Sequence, residues 1–266
     1  MSSGEFQWLL FDLDNTLLDF SASSRKSFEK LVFELEIPGQ PAELYREYSQ
    51  INHRLWKKRE EGGIGHEELK LKRWELFFEQ QNLSFDPTHA NERYFQGITE
   101  NVEFVLYANE LLELLQKRYR MMIITNGLSE VQRPRIEISG IGQYFEDIII
   151  SDEIGSAKPQ HEYFRECHSR MHAPDPKKVL VIGDTLKSDI KAVEAGFKKR
   201  MLVASNHHPY LDNPNIKTAE TYTEWNKIAK LTKPEVEDWA AKLHEWATTH
   251  RKLEEVNKIR TQLLST

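Results

Sequence analysis

The chain is short of cysteine, which excludes a fold held together by disulfides. Its 266 residues include one cysteine, Cys167, so no intramolecular disulfide can form. A single thiol suits a reducing compartment, and we expect a cytoplasmic protein. A reactive Cys167 is the alternative, but the segment "RECHSRM" is typical of a helix face, which favours a packed and inert thiol.

Long apolar runs and a secretory leader are also missing. The first residues, "MSSGEFQW", have neither the basic segment nor the apolar stretch of a signal peptide. No run approaches the roughly 20 apolar residues that a membrane-spanning helix needs. The sequence therefore predicts that a membrane is not a partner.

Positive charge is in the minority, because 36 Lys and Arg against 42 Asp and Glu give a formal net charge of −6. Most of the surface would repel a phosphate backbone, so polymeric nucleic acid is not an expected partner. Small anions can still bind where a local positive group or a metal ion receives them.

What the chain does contain is a series of short apolar runs. Five of them predict strands, at 6–11 (FQWLLF), 120–125 (RMMIIT), 147–151 (DIIIS), 178–184 (KVLVIGD) and 200–205 (RMLVAS). Helices are predicted between them, over about 108–118, 128–139, 160–171 and 187–195. Strands separated by helices predict an α/β fold, a doubly wound parallel sheet of Rossmann-like type covered on both faces.

The segment after the first strand has no strand-like alternation. It predicts four helices, at about 21–36, 41–60, 66–81 and 88–97. We therefore predict three units: an α/β core of residues 1–19 and 101–232, an inserted helical-bundle cap at 20–100, and a C-terminal helix at 233–266.

The predicted C-terminal helix begins after Pro234 and has an apolar stripe at steps of three and four. The stripe consists of Val236, Trp239, Leu243, Trp246, His250 and Leu253. It either docks on the chain's own sheet, which we prefer, or pairs with a partner helix. A monomer and a homodimer are thus both compatible with the sequence. His207 and His208, in the segment 205–214, are predicted to be ordinary loop residues rather than metal ligands.

Polar side chains stand at the ends of three predicted strands. Asp12 and Asp14 follow the first strand, Thr125 and Asn126 end the second, and Asp184 ends the fourth along the chain. Ligands of parallel sheets bind beyond the carboxyl ends of the strands. We therefore expect these residues, remote in sequence, to share one rim.

The acids on this rim predict a cation. One Asp after a strand often only caps a turn. Here Asn15 and Thr16 continue the turn, so Asp14 can fold back over the pocket of Asp12, and Asp184 adds a third carboxylate. Three carboxylates repel one another unless a cation joins them, and hard oxygen ligands indicate Mg²⁺.

Other rim residues have a functional and an ordinary interpretation. Thr125 and Asn126 offer a hydroxyl and backbone N–H groups at a helix start, which form either an anion receptor or a plain N-cap. Lys158, in "GSAKPQ", supplies the positive side chain that the rim otherwise lacks, or is a solvated loop residue. Asp189 either caps the following helix or supports the ligands from a second shell.

The order "DLDNT", "TNG", "KP" and "GDTLKSD" resembles the four signature motifs of the haloacid dehalogenase (HAD) superfamily, over roughly residues 6–205. The helical interruption after the first motif resembles that family's α-helical cap. Within the superfamily, "LLDF", "GIGHEELKLKRW" and "NGLSEVQRPRIEISGI" are similar to the noncanonical pyrimidine nucleotidase and related 5′-nucleotidase branch.

The resemblance implies a mechanism. Asp12 would attack a phosphoryl group to give an aspartyl-phosphate, and Asp14 would protonate the leaving alcohol and then activate water. Mg²⁺ would be held by Asp12, the backbone carbonyl of Asp14, and Asp184. The remaining phosphate oxygens would be bound by Thr125, the Asn126 amide and Lys158.

The function that this implies is a Mg²⁺-dependent phosphatase acting on a small phosphorylated substrate, with nucleoside 5′-monophosphates as the expected class. A 2-haloacid dehalogenase is an alternative, which Asp14 and Asp184 disfavour. A phosphomutase shares the motifs. A binding or assembly protein with a vestigial site is disfavoured because the motif set is intact.

The cap would have to contact the part of the substrate beyond the phosphate. The candidates for this contact are Arg54, Trp56, Arg73, Trp74 and Phe77. The alternative is that they form the helical core of the cap itself. Arg73 is kept as the predicted substrate-binding residue of this group.

Overall fold

The computed structural model describes residues 6–105, 108–185, 188–189 and 198–199. Five strands in these ranges form one sheet in the order β3-β2-β1-β4-β5, and all neighbouring pairs are parallel. The strands are β1 (Trp8–Phe11), β2 (Arg120–Thr125), β3 (Asp147–Ile150), β4 (Val179–Ile182) and β5 (Lys198–Lys199). The predicted α/β fold with a parallel sheet is confirmed.

Eight α-helices surround or extend this sheet in the described part of the chain. They are α1 (Phe20–Glu34), α2 (Pro41–Glu60), α3 (His66–Gln80), α4 (Pro87–Glu100), α5 (Ala108–Leu115), α6 (Ser129–Ser139), α7 (Ser151–Ile154) and α8 (His161–Arg170). None of the described helices is long and apolar enough to cross a membrane.

The helix boundaries follow local signals in the sequence. Asp19 caps α1 by accepting a hydrogen bond from the backbone N–H of Ala22, as N-cap acids do. Pro41 and Pro87 stand at the first positions of α2 and α4, where the missing N–H costs nothing. Helix α6 ends at Gly140, whose φ of 70° is the left-handed conformation of a C-cap.

The sequence prediction missed three short elements, and it put the fifth strand at 200–205, whereas β5 lies at Lys198–Lys199. The 3₁₀ turns Ile141–Tyr144 and Pro176–Lys178 and the one-turn helix α7 are too short to show a periodicity. The predicted helix at 187–195, apart from residues 188–189, lies outside the described residues, as do the strand at 200–205, the loop with His207 and His208, and the C-terminal stripe.

The central strand β1 is buried on both faces, which explains its unbroken apolar run. Trp8 and Leu10 pack in one cluster with side chains of α8. Leu9 and Phe11 pack in a second cluster, with side chains of α5 and α6. A strand fixed from both sides gives the residues that follow it a rigid base.

Helices α1 to α4 have a separate apolar core. Trp74 is fully buried and stacks on Tyr48 with ring centroids 4.6 Å apart, and Phe77 is buried beside them. Leu128 and Val131, at the start of α6, join this cluster. The helical unit therefore meets the sheet at the carboxyl ends of its strands. The domain limits at residues 19, 100 and 232 stay a prediction.

Candidate active site

A tight turn after β1 positions the two opening acids. The carbonyl of Leu13 accepts hydrogen bonds from the backbone N–H groups of Leu17 and Leu18, at 2.9 and 3.0 Å. Asn15 lies in the left-handed region with φ of 60°, which Asn tolerates better than most residues. Leu13 is buried in the core, and Asp12 and Asp14 both line one cavity.

Asp12 forms a buried ion pair with Lys158. The ammonium Nζ lies 2.6 Å from Asp12 Oδ1, 2.7 Å from Asp189 Oδ1 and 3.0 Å from the carbonyl oxygen of Ile124. All three ammonium donors are thus used. The predicted position of Lys158 on the rim is correct, and the solvated-loop alternative is wrong because its exposure is 2%.

Burial and charge shift the pKa values of this pair. Burial raises the pKa of Asp12 well above its usual range, although Lys158 opposes the shift. Burial alone would lower the pKa of Lys158, but the carboxylates of Asp12 and Asp189 outweigh it and raise that pKa. Both carboxylates therefore favour the charged form of Lys158 at the rim.

The backbone of Lys158 is clamped by Asn126. Asn126 Nδ2 donates to the Lys158 carbonyl, and the Lys158 N–H donates to Asn126 Oδ1, each at 2.8 Å. The side chain of Asn126 is therefore used to place Lys158. The predicted contact of the Asn126 backbone amide with a phosphate oxygen stays a prediction.

Asp14 has partners that the sequence analysis did not identify. Arg135 Nη1 lies 2.5 Å from Asp14 Oδ1, and Gln132 Nε2 lies 2.7 Å from Asp14 Oδ2. Gln132 Nε2 also donates to Thr125 Oγ1 at 2.9 Å. The signal was present in "NGLSEVQRPRIEISGI", where Gln132 and Arg135 stand three residues apart and hence on one helix face.

A group of three buried carboxylates offers the oxygen ligands that a hard cation prefers. Ligand atoms of Asp12, Asp184 and Asp189 lie within 4.8 Å of one another. Gly183 permits the approach, because a Cβ there would lie 2.3 Å from Asp189 Oδ2. Lys158 is bonded to two of these three carboxyl groups, those of Asp12 and Asp189. Mg²⁺, with its preference for oxygen ligands, fits these residues.

The three acids are not equivalent. Asp189 accepts from Lys158 and, through Oδ2, from the backbone N–H of Thr185 at 3.1 Å. Asp184 accepts from the Thr185 hydroxyl at 3.0 Å. The supporting role of Asp189 stays a prediction. The carboxylate of Asp14 is not part of this group, and a ligand role for its backbone carbonyl stays a prediction.

One cavity of about 420 Å³ unites the predicted site residues. Those that line it are Asp12, Asp14, Arg73, Thr125, Asn126, Lys158, Asp184 and Asp189. Trp56 also lines this cavity, whereas Arg54 is exposed outside it and Trp74 and Phe77 belong to the helical core.

Arg73 has features of a residue that contacts the substrate and also of a residue in the helical core of the cap. It lines the cavity, yet it is 2% exposed, and its Nη2 lies 2.5 Å from Asn91 Oδ1. Its guanidinium also lies over the rings of Tyr94 and Phe95, at 5.1 and 4.9 Å. The substrate-binding role stays a prediction.

The parallel α/β sheet thus carries these carboxylates and a buried lysine at its carboxyl rim. A model of the haloacid dehalogenase-like hydrolase family matches residues 6–196. The chain therefore belongs to the haloacid dehalogenase-like hydrolase family.

The chain is also similar to three individual proteins. It is 31% identical to the pyrimidine 5′-nucleotidase YjjG of Escherichia coli, over 77% of this chain and 88% of that one. It is 30% identical to the pyrimidine 5′-nucleotidase PynA of Streptococcus pneumoniae, over 70% and 78%. It is 31% identical to the HAD-hydrolase YfnB of Bacillus subtilis, over 70% and 79%.

YfnB is also similar in structure. Its magnesium-bound crystal form superposes with a TM-score of 0.73 at 28% identity, covering 84% of this chain and 100% of that one. The description of that structure notes an interdomain movement.

Proposed function

We propose that this protein is a Mg²⁺-dependent phosphatase of small phosphomonoesters, with nucleoside 5′-monophosphates as its substrates. One observation carries the proposal: Asp12 and Asp14 line the same cavity but have different partners. Asp12 is bonded to the buried Lys158, while Asp14 is held by Gln132 and Arg135. Such a division suits two acids with different tasks.

Asp12 is the nucleophile in this mechanism. One carboxylate oxygen attacks phosphorus, the bond from phosphorus to the leaving oxygen breaks, and an aspartyl-phosphate forms. Lys158 and the Thr16 hydroxyl, 3.2 Å from Asp12 Oδ2, hold the carboxylate in one orientation. A fixed orientation lowers the entropy cost of an in-line attack.

Asp14 moves the protons. It donates a proton to the leaving alkoxide in the first step, and it takes a proton from water in the second. That water attacks phosphorus, the bond from phosphorus to Asp12 breaks, and inorganic phosphate leaves. The side chain of Asp14 is 27% exposed towards the cavity, so water and a leaving group can reach it.

Asp12 and Asp184 would hold Mg²⁺, with Asp189 supporting them through Lys158 and Thr185. When bound, the ion offsets the negative charge of the phosphoryl group as that charge shifts. On the same wall of the cavity, Lys158 supplies a positive charge close to the phosphoryl group, and Thr125 supplies a hydroxyl that can contact it.

The nucleotide part of the proposal depends on the cavity walls and on the relatives. Phe20, Trp56 and Phe95 provide aromatic surface in the cavity, and a nucleobase offers a flat face to such rings. Two of the relatives are pyrimidine 5′-nucleotidases. We therefore expect pyrimidine nucleotides to be preferred over purine nucleotides.

A phosphate-release panel tests the proposal. It compares uridine, cytidine and adenosine 5′-monophosphates with sugar phosphates and phosphoglycolate, in Mg²⁺ and in EDTA. We expect the pyrimidine nucleotides to have the highest kcat/KM and EDTA to abolish turnover reversibly. Full activity in EDTA would contradict the metal assignment. A tenfold advantage for a sugar phosphate would overturn the nucleotide assignment and leave the phosphatase assignment standing.

A variant pair tests the base-binding surface. Trp56→Ala should lower kcat/KM for uridine 5′-monophosphate by about tenfold, the value of one stacking contact, and should change that for glycerol phosphate much less. Phe33→Ala is the matched control, because Phe33 is an aromatic residue with 85% exposure outside the cavity. Equal losses for both substrates with Trp56→Ala would show that Trp56 does not contact the base.

A further inference from the structure

We propose that Gln132 and Arg135 are positioning residues for Asp14, holding its carboxylate at the angle from which it exchanges protons with the leaving group and with water. The inference rests on the proposed function, since it assigns the groups that orient the proposed acid and base. It adds two residues of helix α6 to the working parts of the site.

Both oxygens of Asp14 are fixed by separate donors. Arg135 Nη1 binds Oδ1 at 2.5 Å, and Gln132 Nε2 binds Oδ2 at 2.7 Å. Two donors on two different oxygens fix the rotation of the carboxylate about its bond to Cβ, which one donor would leave free. The two donors are three residues apart on α6 and therefore share one face of that helix.

The donors are themselves locked in place. Arg135 Nη1 also donates to Gln132 Oε1 at 2.7 Å, which fixes which end of the Gln132 amide faces Asp14. Gln132 Nε2 also donates to Thr125 Oγ1 at 2.9 Å. The network thus links Asp14 to the end of β2, on the wall where the phosphate is expected to bind. Gln132 is 1% exposed and Arg135 is fully buried.

The chain leaves space for this network at Gly127. A Cβ on Gly127 would lie 2.1 Å from Gln132 Nε2 and 2.6 Å from its Cδ. Only glycine, therefore, allows the Gln132 amide to lie between Asp14 and Thr125. The same residue donates its backbone N–H to Thr125 Oγ1 at 3.2 Å.

A purely structural role does not account well for a buried arginine at position 135. Burial of a guanidinium is costly unless its donors are satisfied. Among the described residues, Nε and Nη2 of Arg135 have no hydrogen-bond partner. The carboxylate that it pairs with is Asp14, and its guanidinium packs over the ring of Phe20 at 5.3 Å. Its bonds are directed at the proposed acid and base rather than spread through the core.

The test separates proton transfer from general damage by the choice of substrate. The leaving group of uridine 5′-monophosphate is the basic 5′-alkoxide of uridine, which needs a proton. The leaving group of p-nitrophenyl phosphate is the stable p-nitrophenolate, which does not. Gln132→Met keeps the volume of the side chain and removes its donor. We expect kcat/KM for the nucleotide to fall at least about tenfold, within the range of general acid catalysis. For p-nitrophenyl phosphate we expect a change of less than about threefold.

A second readout follows from the second step. Water activation also depends on Asp14, so the aspartyl-phosphate should accumulate in Gln132→Met, and p-nitrophenol should appear in a pre-steady-state burst. A residue with a structural role alone would not produce a burst. Gly127→Ala, which pushes the Gln132 amide out of the network, should give the same signature, and it serves if Gln132→Met does not fold. Gln143→Met is the control, because Gln143 is exposed and outside the cavity.

The outcomes are distinct. A wild-type enzyme that hydrolyses neither substrate would overturn the proposed function, and this inference with it. Suppose that the wild-type enzyme is active, that the variants show no burst, and that kcat/KM falls equally for both substrates or for neither. That result would overturn the positioning role alone. A larger loss of kcat/KM for the nucleotide than for p-nitrophenyl phosphate, together with the burst, would establish the positioning role.

Discussion

The contacts of the buried Lys158 ammonium allow an estimate of how much stability its removal would cost. Lys158→Met keeps the length of the side chain and deletes a charge that contacts Asp12 and Asp189 at 2.6 and 2.7 Å. Each of these three side chains has an exposed fraction of 9% or less. Removing one partner of a buried ion pair costs about 3–5 kcal/mol, because it leaves an uncompensated charge. We expect Lys158→Met to lose that much of its free energy of unfolding.

The sign of the pH dependence follows from the same contacts. The pKa of Lys158 is raised, so its contribution to stability is present below its unfolded pKa and is lost only as the pH rises through the folded value. Without Lys158, burial should raise the pKa of Asp12 further. The folded variant then binds a proton that the unfolded chain does not, and its stability falls as the pH rises. The loss in free energy of unfolding of Lys158→Met, relative to the wild type, should be larger at pH 8 than at pH 5.

The assay is urea denaturation in EDTA, followed by circular dichroism. The slope against urea should match that of the wild type, because the surface exposed on unfolding is unchanged. Lys177→Met, at an exposed lysine, should change stability by less than about 0.5 kcal/mol. The double variant Lys158→Met with Asp189→Asn should recover part of the loss. A loss below about 1 kcal/mol for Lys158→Met would refute the assigned ion pair.

Two further predictions concern the packing around the site. Burial raises the pKa of the Cys167 thiol to about 12, so a thiol reagent at pH 8 should label it only after urea unfolding, and rapid labelling of the native protein would contradict the packing. Trp74→Ala should lower the free energy of unfolding by about 3–5 kcal/mol, since Trp74 is fully buried among aromatic rings. A thermal or urea unfolding curve measures this, and an unchanged curve would mean that the helical core is not assembled around Trp74.

Strand-end reasoning located most of the candidate site from the sequence. The carboxyl ends of parallel strands meet at one edge, so Asp12, Thr125 and Asp184 had to approach one another once the strands were assigned. The structure places all three in one cavity. The predictions of β1 to β4 and of the longer described helices were confirmed for a similar reason, because the apolar runs are short and well separated.

The partners of Asp14 could not be found in this way. Which face of α6 points at the site depends on the rotation of the helix about its axis, and that rotation is set by the packing of Val131 and Ile136. A Gln and an Arg at a spacing of three occur on many solvated helix faces. Only the burial of Arg135 distinguishes this pair, and burial is a property of the assembled fold.

Cap contacts were equally inaccessible to sequence reasoning. Arg73 and Trp74 are adjacent in the chain, but Arg73 lines the cavity while Trp74 is in the helical core. From the sequence alone, each of these two residues could belong either to the helical core or to a substrate-binding surface. Their separation follows from a rotation of one residue about the axis of α3.

Phosphoryl transfer to Asp12 is the central claim, and covalent trapping tests it most directly. The Asp14→Asn variant should slow hydrolysis of the intermediate, so incubation with p-nitrophenyl phosphate and Mg²⁺, followed by acid quench and borohydride reduction, should convert position 12 to homoserine. Mass spectrometry of the peptide that contains residue 12 is the readout. We expect the reduced product at position 12 and not at position 14. Release of p-nitrophenol at a measurable rate with an unmodified position 12 would contradict the account.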